Sequence, residues 1–363
     1  MGFRCGIVGL PNVGKSTLFN ALTRAAAPAE NYPFCTIEPN VGIVKVPDSR
    51  LQAIAAIVKP KAVIPTVIEF VDIAGLVAGA SRGEGLGNRF LAHIREVDAI
   101  VHLVRAFTDT DIAHVSDRID PVADVATIET ELALADLETL DRAIERSRKA
   151  AKIGDKEQLR LLELFERARQ ALDDGSGVRS LLGDRDTATA LQPLCLLTAK
   201  PVLFVVNVAE EDLAGNAQVD TLCGHAAKTQ AELVVVSAAI EQEISDLEPG
   251  EHAAFLQDLG LGESGLNRVI QAGYRLLGLQ TFFTTRSKEV RAWTVPVGTV
   301  AAQAAGQIHT DFERGFIRAE AIAYDDFVHY GGEQGAREAG RGRLEGKDYV
   351  LSDGDIMHFR FNV

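Results

Sequence analysis

The stretch GIVGLPNVGKST, residues 6–17, decides how the rest of this chain is read. Within it Gly9, Gly14, Lys15 and Ser16 fit the spacing G-x-x-x-x-G-K-[ST]. An apolar run from Phe3 to Val8 precedes it and reads as a buried strand, and the residues from Thr17 to Leu22 read as the start of a helix. Strand, glycine-rich turn and helix in that order make a phosphate cradle. Glycines let successive backbone N–H groups point at one anion, and the helix that follows adds the positive end of its dipole. Asn12, Val13, Gly14, Lys15, Ser16 and Thr17 are therefore the candidate phosphate-binding residues. Lys15 is expected to reach the β- and γ-phosphates, and the Ser16 hydroxyl to bind magnesium.

The bulk of the chain bounds what such a cradle serves. A length of 363 residues with 47% hydrophobic content predicts two or three domains with substantial cores. No run approaches ~18 consecutive apolar residues, so no membrane span is expected. The N-terminus enters a strand directly, without a charged-then-apolar leader. Cys5, Cys35, Cys195 and Cys223 are scattered and form no C-x-x-C pair, which argues against a zinc site or a disulfide framework. These features predict a reduced, cytoplasmic protein. The net charge of −14 disfavours a generally basic surface that coats nucleic acid.

Outward from the cradle, further β-branched runs occur at Val41–Val46, Val67–Asp72, Ala99–Val104, Val202–Val206 and Leu233–Val236. Few polar residues interrupt them, as in strands buried on both faces, and helical patterns separate most of them. The pattern predicts an α/β fold: a mostly parallel sheet with helices on both faces. One connection, from Val104 to Val202, is far longer than a crossover needs. Inside it Asp120 and Pro121 read as an N-cap and a first-turn proline. Val125, Ile128, Leu132 and Ala135 form a helical stripe, continued on a shifted face by Leu137, Leu140 and Ile144. A stop near Gly154 and a cap at Asp155 start a second helix from Lys156 to Leu172. Residues 121–197 are thus expected to form an inserted helical hairpin domain between the two parts, 1–120 and 198–280, of the nucleotide-binding domain. Residues 281–363 read as a small β-grasp module, with short strands at Val290–Val295, Ile317–Ile322, Asp348–Leu351 and Ile356–Phe361 and a helix at Thr299–Gln307.

Three segments narrow the nucleotide. Asp72 closes an apolar strand in Asp72-Ile-Ala-Gly75, where an aspartate holds magnesium and the Gly75 N–H meets the γ-phosphate. Thr36, between the first helix and the second strand, offers a further magnesium ligand. Asn207-Val-Ala-Glu210 ends the strand at Val202–Val206. A guanine reader would carry Asn-Lys-x-Asp there, its aspartate accepting from the guanine N1–H and amino group. Here Glu210 and Val208 occupy those slots, and a carboxylate facing adenine N1 would be left unpaired. Asn207 is expected to donate to adenine N7 and accept from the 6-amino group, and Ser237 to pack near the base. The reading favours ATP, with GTP weaker. A dinucleotide oxidoreductase is a poor alternative, because Gly85-Leu-Gly87 lacks a third glycine and follows no strand.

These motifs in this order resemble the Obg kind of GTPase, above all DIAGLVAGASRGEGLGNRFLAHIREVDAIVHLVRAF at residues 72–107. The NVAE segment, the inserted hairpin and the ending DGDIMHFRFNV resemble the YchF family of Obg-like ATPases more specifically, over nearly the whole chain. The resemblance implies a P-loop NTPase domain of OBG type, a helical coiled-coil insertion and a C-terminal TGS domain. It also implies ATP hydrolysis in preference to GTP and association with the ribosome, its large subunit included, as a switch in translation or stress response. Val208 is implied to meet the base through its backbone.

The route of hydrolysis stays open between two candidates. Leu76 stands where Ras-like switches place a water-orienting glutamine, so intrinsic turnover is expected to be slow. Asn12 resembles the asparagine that holds a potassium ion in related switches, and His114, in Asp111-Ile-Ala-His-Val-Ser-Asp-Arg118, is a candidate for positioning water or taking a proton. The glycine-rich segment from Gly79 to Gly87 is expected to reorder between nucleotide states. Competing functions are a GTP-hydrolysing GTPase of the Obg kind and a ribosome- or RNA-binding module with incidental hydrolysis. For the module, Arg337, Arg341, Arg343 and Lys347 form a candidate phosphate-contacting strip, balanced by Glu338 and Glu345.

Overall fold

The computed structural model describes residues 3–24, 40–73, 86–108, 119–152, 155–248, 250–285 and 288–362. In chain order its strands are β1 (Arg4–Val8), β2 (Val41–Lys45), β3 (Ala62–Ile64), β4 (Val67–Asp72), β5 (Ala99–Arg105), β6 (Val202–Asn207), β7 (Glu232–Val236), β8 (Leu279–Thr285), β9 (Glu289–Pro296), β10 (Phe316–Ile322), β11 (Arg343–Glu345) and β12 (Ile356–Phe361). Its helices are α1 (Lys15–Arg24), α2 (Ser49–Val58), α3 (Leu86–Glu96), α4 (Pro121–Ala151), α5 (Lys156–Asp173), α6 (Arg185–Leu191), α7 (Ala217–Thr229), α8 (Ala238–Asp246), α9 (His252–Asp258), α10 (Gly265–Leu276), α11 (Ala301–Ile308), α12 (Thr310–Arg314), α13 (Tyr324–His329) and α14 (Glu333–Glu338). Two compact units result. One is built mainly from residues 69–269 together with β1 and α1, the other from residues 43–68 and 270–362.

The first sheet has the order β2-β4-β1-β5-β6-β7. β1 pairs in parallel with β4 and β5, and β5, β6 and β7 continue in parallel. Every residue of β5 and of β6 is buried, as expected of strands covered on both faces. The register aligns Ile7 with Asp72 and Arg105 with Asn207, and Asn207 in turn with Val236. The C-terminal ends of these strands therefore share one edge, the edge at which open α/β sheets bind ligands.

The long connection after β5 is helical. Asp120 caps α4 by accepting from the Ala123 N–H at 3.2 Å, with Pro121 in the first turn. Asp155 caps α5 through the N–H groups of Glu157 and Gln158 at 3.0 and 3.2 Å. Leu140, Ala143 and Ile144 of α4 pack with Phe165, Ala168 and Leu172 of α5. Ion pairs Arg148–Glu166 and Asp141–Arg169, both 2.8 Å, set the two helices antiparallel. Asp136, 1% exposed, then holds the returning chain. Its carboxylate accepts from the Leu197 and Thr198 N–H groups at 2.8 Å and from the Thr198 hydroxyl at 2.7 Å. Burial pushes this carboxyl above the usual range, and the hydrogen bonds oppose the shift.

The second sheet has the order β11-β10-β12-β8-β9-β3. Ala301, Ala304 and Ala305 of α11 pack over Phe282, Val295, Met357 and Phe359 on one face. Leu51 and Ile54 of α2, with Phe327 and Ala336, cover Phe283, Val290, Ile322 and Ile356 on the other. Two features depart from the sequence reading. Asp348–Leu351 forms no strand, only a bridge from Val350 to Val300. Its main chain answers the start of α11 instead: Ala301 N–H donates to Tyr349 O at 2.8 Å, and Leu351 N–H to Thr299 O at 3.0 Å. Residues 43–68, which fall within the stretch read as nucleotide-binding, supply α2 and β3 to this second unit, where β3 pairs in parallel with β9.

Candidate nucleotide site

The loop from Gly9 to Gly14 leaves the shared edge between β4 and β5 and runs into α1. Its turn requires two residues with positive φ, Asn12 at 63° and Gly14 at 92°. Asparagine tolerates that region better than most residues, and glycine carries no penalty there. Gly9 has a different reason. A Cβ on it would stand 2.8 Å from the Leu103 carbonyl of β5. At Gly14 a Cβ would collide with the side-chain amide of Asn207. The glycines of the motif are thus needed by the neighbouring strands as well as by an anion.

Lys15 opens α1, and its ammonium forms an ion pair with Asp72 at the end of β4. Asp72 is fixed in turn by its N–H, which donates to Asn40 O at 2.8 Å. Ser16 is exposed in the first turn of α1, and so is Asn12 in the loop. The structure therefore brings Asn12, Val13, Gly14, Lys15, Ser16, Thr17 and Asp72 together. Thr36, Gly75, Leu76 and His114 lie outside the described residues, as does the segment from Gly79 to Gly85. Gly87, read as part of a reordering loop, sits in the first turn of α3.

Asn207 also has a structural part in the site. It is 4% exposed, and its side chain joins two backbone segments: Nδ2 donates to Val13 O at 3.0 Å, and Oδ1 accepts from the Ala238 N–H at 2.9 Å. Its main-chain carbonyl accepts from the Ala106 N–H at 2.8 Å. One residue thus braces the phosphate loop, the exit of β5 and the start of α8. One N–H and one lone pair of the amide hold the pocket together in this way, because the parallel register sets the end of β6 directly behind the loop. Val208 is 2% exposed and its N–H donates to Val236 O at 2.9 Å. Glu210 is exposed at the start of a short 3-10 turn, and Ser237 is 2% exposed just before α8.

Sequence reasoning passed over Arg105, the last residue of β5. It is 1% exposed, its Nε donates to Phe107 O at 3.2 Å, and its guanidinium carbon stands 4.4 Å over the Phe107 ring. The available signal was one cation ending an otherwise apolar strand. Three residues earlier, His102 is buried against Phe204. Burial, and secondarily His225, push its imidazole down to about 3, so it is neutral at ordinary pH. The arginine strip of the second unit is engaged within that unit. Arg337 makes a two-pronged contact to Glu320 at 2.6 and 2.7 Å, and Arg343 donates to the Tyr349 hydroxyl at 2.9 Å. Arg341 stands 3.7 Å from Asp326.

Comparison with known proteins agrees with this geometry. A family model described as "50S ribosome-binding GTPase" matches residues 4–138, and the model YchF-GTPase_C, described as "Protein of unknown function (DUF933)", matches residues 279–362. Among curated proteins, "Ribosome-binding ATPase YchF" of Pasteurella multocida is 59% identical over the full length of both chains. The protein of the same name from Bacillus subtilis is 54% identical, again over all of both chains. Among solved structures, the YchF GTPase of Schizosaccharomyces pombe is 38% identical with a TM-score of 0.89, covering 99% of this chain and 98% of that one. A GTP-binding protein of Pyrococcus horikoshii OT3, 20% identical over 99% of this chain and 100% of its own, has a TM-score of 0.62 and shares the fold.

Proposed function

The chain belongs to the YchF family, and from that premise we propose that it hydrolyses ATP to ADP and phosphate as a switch on the ribosome. The observation that carries the reading is the meeting of Lys15 and Asp72 beside the loop. It sets a cation for phosphate oxygens against a carboxylate suited to a metal. Binding of a nucleotide exchanges that ion pair for two others: Lys15 turns to the β- and γ-phosphates, and Asp72 is freed for the ion that accompanies them. Ser16, Asp72 and Thr36 offer oxygen donors only, which suits magnesium. When bound there, magnesium neutralises charge on the phosphates.

Asn207 keeps the loop in register with α8, and Val208 and Ser237 wall the base side. Glu210, one methylene longer than a guanine-reading aspartate, and Val208, in place of the lysine, do not reproduce the guanine reader, which favours ATP over GTP. Relatives named ATPases over the whole of this chain support that preference, although the S. pombe relative is named a GTPase. Asn12, through a potassium ion at its side chain, and His114 are the proposed aids to hydrolysis. Residues 1–120 with 198–280, apart from the stretch 43–68 that packs in the second unit, act as the OBG-type domain, 121–197 as the helical insertion and 281–363 as a TGS domain. The last two are proposed to contact RNA of the large ribosomal subunit, in the cytoplasm. No helix among the described residues is long and apolar enough to cross a membrane.

Titrating ATP and GTP with magnesium tests the reading. ATP is expected to bind about tenfold more tightly, the scale of one lost pair of hydrogen bonds. A preference for GTP overturns it.

A further inference from the structure

Arg105 is the largest of the fully buried side chains among the described residues, and an arginine is almost never fully buried unless it is paired. Removing a guanidinium from water is costly, and an apolar residue would end β5 more cheaply. Its surroundings state what it holds. Nη1 stands 3.5 Å from the Asn12 carbonyl, in the phosphate loop. Nε donates to the Phe107 carbonyl at 3.2 Å, in the segment that leaves β5. The ring of Phe107 lies 4.4 Å beneath the guanidinium carbon and fixes its plane. Asn12 itself has a φ of 63°, at the left-handed turn of the loop. The neighbouring Ala106 N–H is anchored separately, at 2.8 Å from Asn207 O.

We propose that Arg105 is a positioning residue for ATP hydrolysis: its buried guanidinium ties the phosphate loop at Asn12 to the segment at Phe107. Asn12, one of the two candidate aids to hydrolysis, is thereby referred to one planar fork. Lysine supplies the charge without the fork, because a single ammonium lacks the planar pair of donors aimed at two carbonyls. Arg105 sits behind the loop and reaches it through the Asn12 carbonyl, so its part is alignment. The inference rests on the ATPase reading above.

The test is steady-state ATP hydrolysis by the full chain as wild type, R105K and R105Q, with ADP affinity and thermal melting measured on each. Wild-type hydrolysis is established first, and its absence refutes the ATPase reading, not the role of Arg105. Given wild-type turnover, R105Q is expected to lose about tenfold or more in kcat, as misplaced reacting groups do, with KM and ADP affinity within about threefold. R105K is expected to recover part of kcat. Should R105Q fail to fold, F107L keeps the charge and removes the ring beneath it, and the same loss confined to kcat is expected at smaller size. Unchanged kcat in the folded variant overturns the proposal. So does a loss shared equally by ADP affinity and melting temperature, which marks Arg105 as a structural residue only.

Discussion

Two polar turns, one leaving β1 and one entering β12, are built in opposite ways. The turn from Ser352 to Asp355, before β12, closes on itself. Asp353 accepts from Arg50 Nη1 at 2.8 Å and from the Thr281 N–H at 2.9 Å, and Asp355 accepts from the Tyr349 hydroxyl at 2.7 Å and the Ser352 N–H at 3.0 Å. Its charges are spent on neighbours within the second unit. The loop from Gly9 to Ser16 is held from behind by Asn207 and Arg105, which touch its backbone. Its reactive side chains are left at the front: Lys15 against Asp72, with Asn12 and Ser16 exposed. A turn whose charges are fixed by the fold is structural. A loop braced through its backbone, with its lysine paired to a strand-end carboxylate, is ready to trade that pair for a ligand.

The comparison breaks most sharply at Lys15. Lys15→Ala is expected to cost roughly 3 kcal/mol or about a hundredfold in ATP affinity, the scale of charge-assisted bonds to phosphate. Calorimetric titration reads this, with the fold checked by circular dichroism. Unchanged affinity removes the loop from the site. Asn207→Ala comes next. It orphans the Val13 carbonyl and the Ala238 N–H, and about 2 kcal/mol of stability should go in urea unfolding, together with part of the nucleotide affinity. Loss of stability alone would reduce Asn207 to a packing residue.

Asp353→Ala is the matching change in the other turn. It is expected to cost about 1 kcal/mol of stability and nothing in nucleotide affinity. An effect on ATP binding would show that the contrast between the turns is false. The last effect is on pH dependence. His102 is held at about 3 in the fold against 6.5 for an ordinary imidazole. Below pH 6.5 the unfolded chain takes up a proton that the folded chain refuses, so stability falls with pH across that window. His102→Phe should remove up to ~1.4 kcal/mol of that loss per pH unit, with little change at pH 7. Unfolding midpoints of both proteins at pH 7 and pH 5 decide it.

Much of the first sheet was legible because its signals are local. Strands β1, β4, β5 and β6 are largely apolar runs, and the spacing of Gly9, Gly14 and Lys15 is contained in a few residues. The caps at Asp120 and Asp155 are equally local, and so is the stripe from Val125 to Ala135. Asp348–Leu351 was misread as a strand because alternation specifies an extended backbone and leaves its hydrogen-bond partner unspecified. Here that partner is the start of α11. Nothing in residues 43–68 announces that α2 and β3 belong with a sheet more than two hundred residues downstream, since pairing across that distance leaves no periodicity behind.

The sequence by itself determined the chemistry on offer: a lysine and a serine after a glycine turn, an aspartate closing a strand, and a base-side segment without the guanine reader. Those are statements about residue types at short spacing, and short spacing survives folding. Only the tertiary structure decided what each polar group does. Parallel register set Asn207 behind the loop as a brace, turned Arg105 inward toward Asn12, and brought Asp72 to Lys15. Each of these contacts joins residues dozens to nearly two hundred positions apart. A buried polar group takes whichever partner the packed strands bring within reach, and that is a property of the sheet rather than of any single stretch of chain.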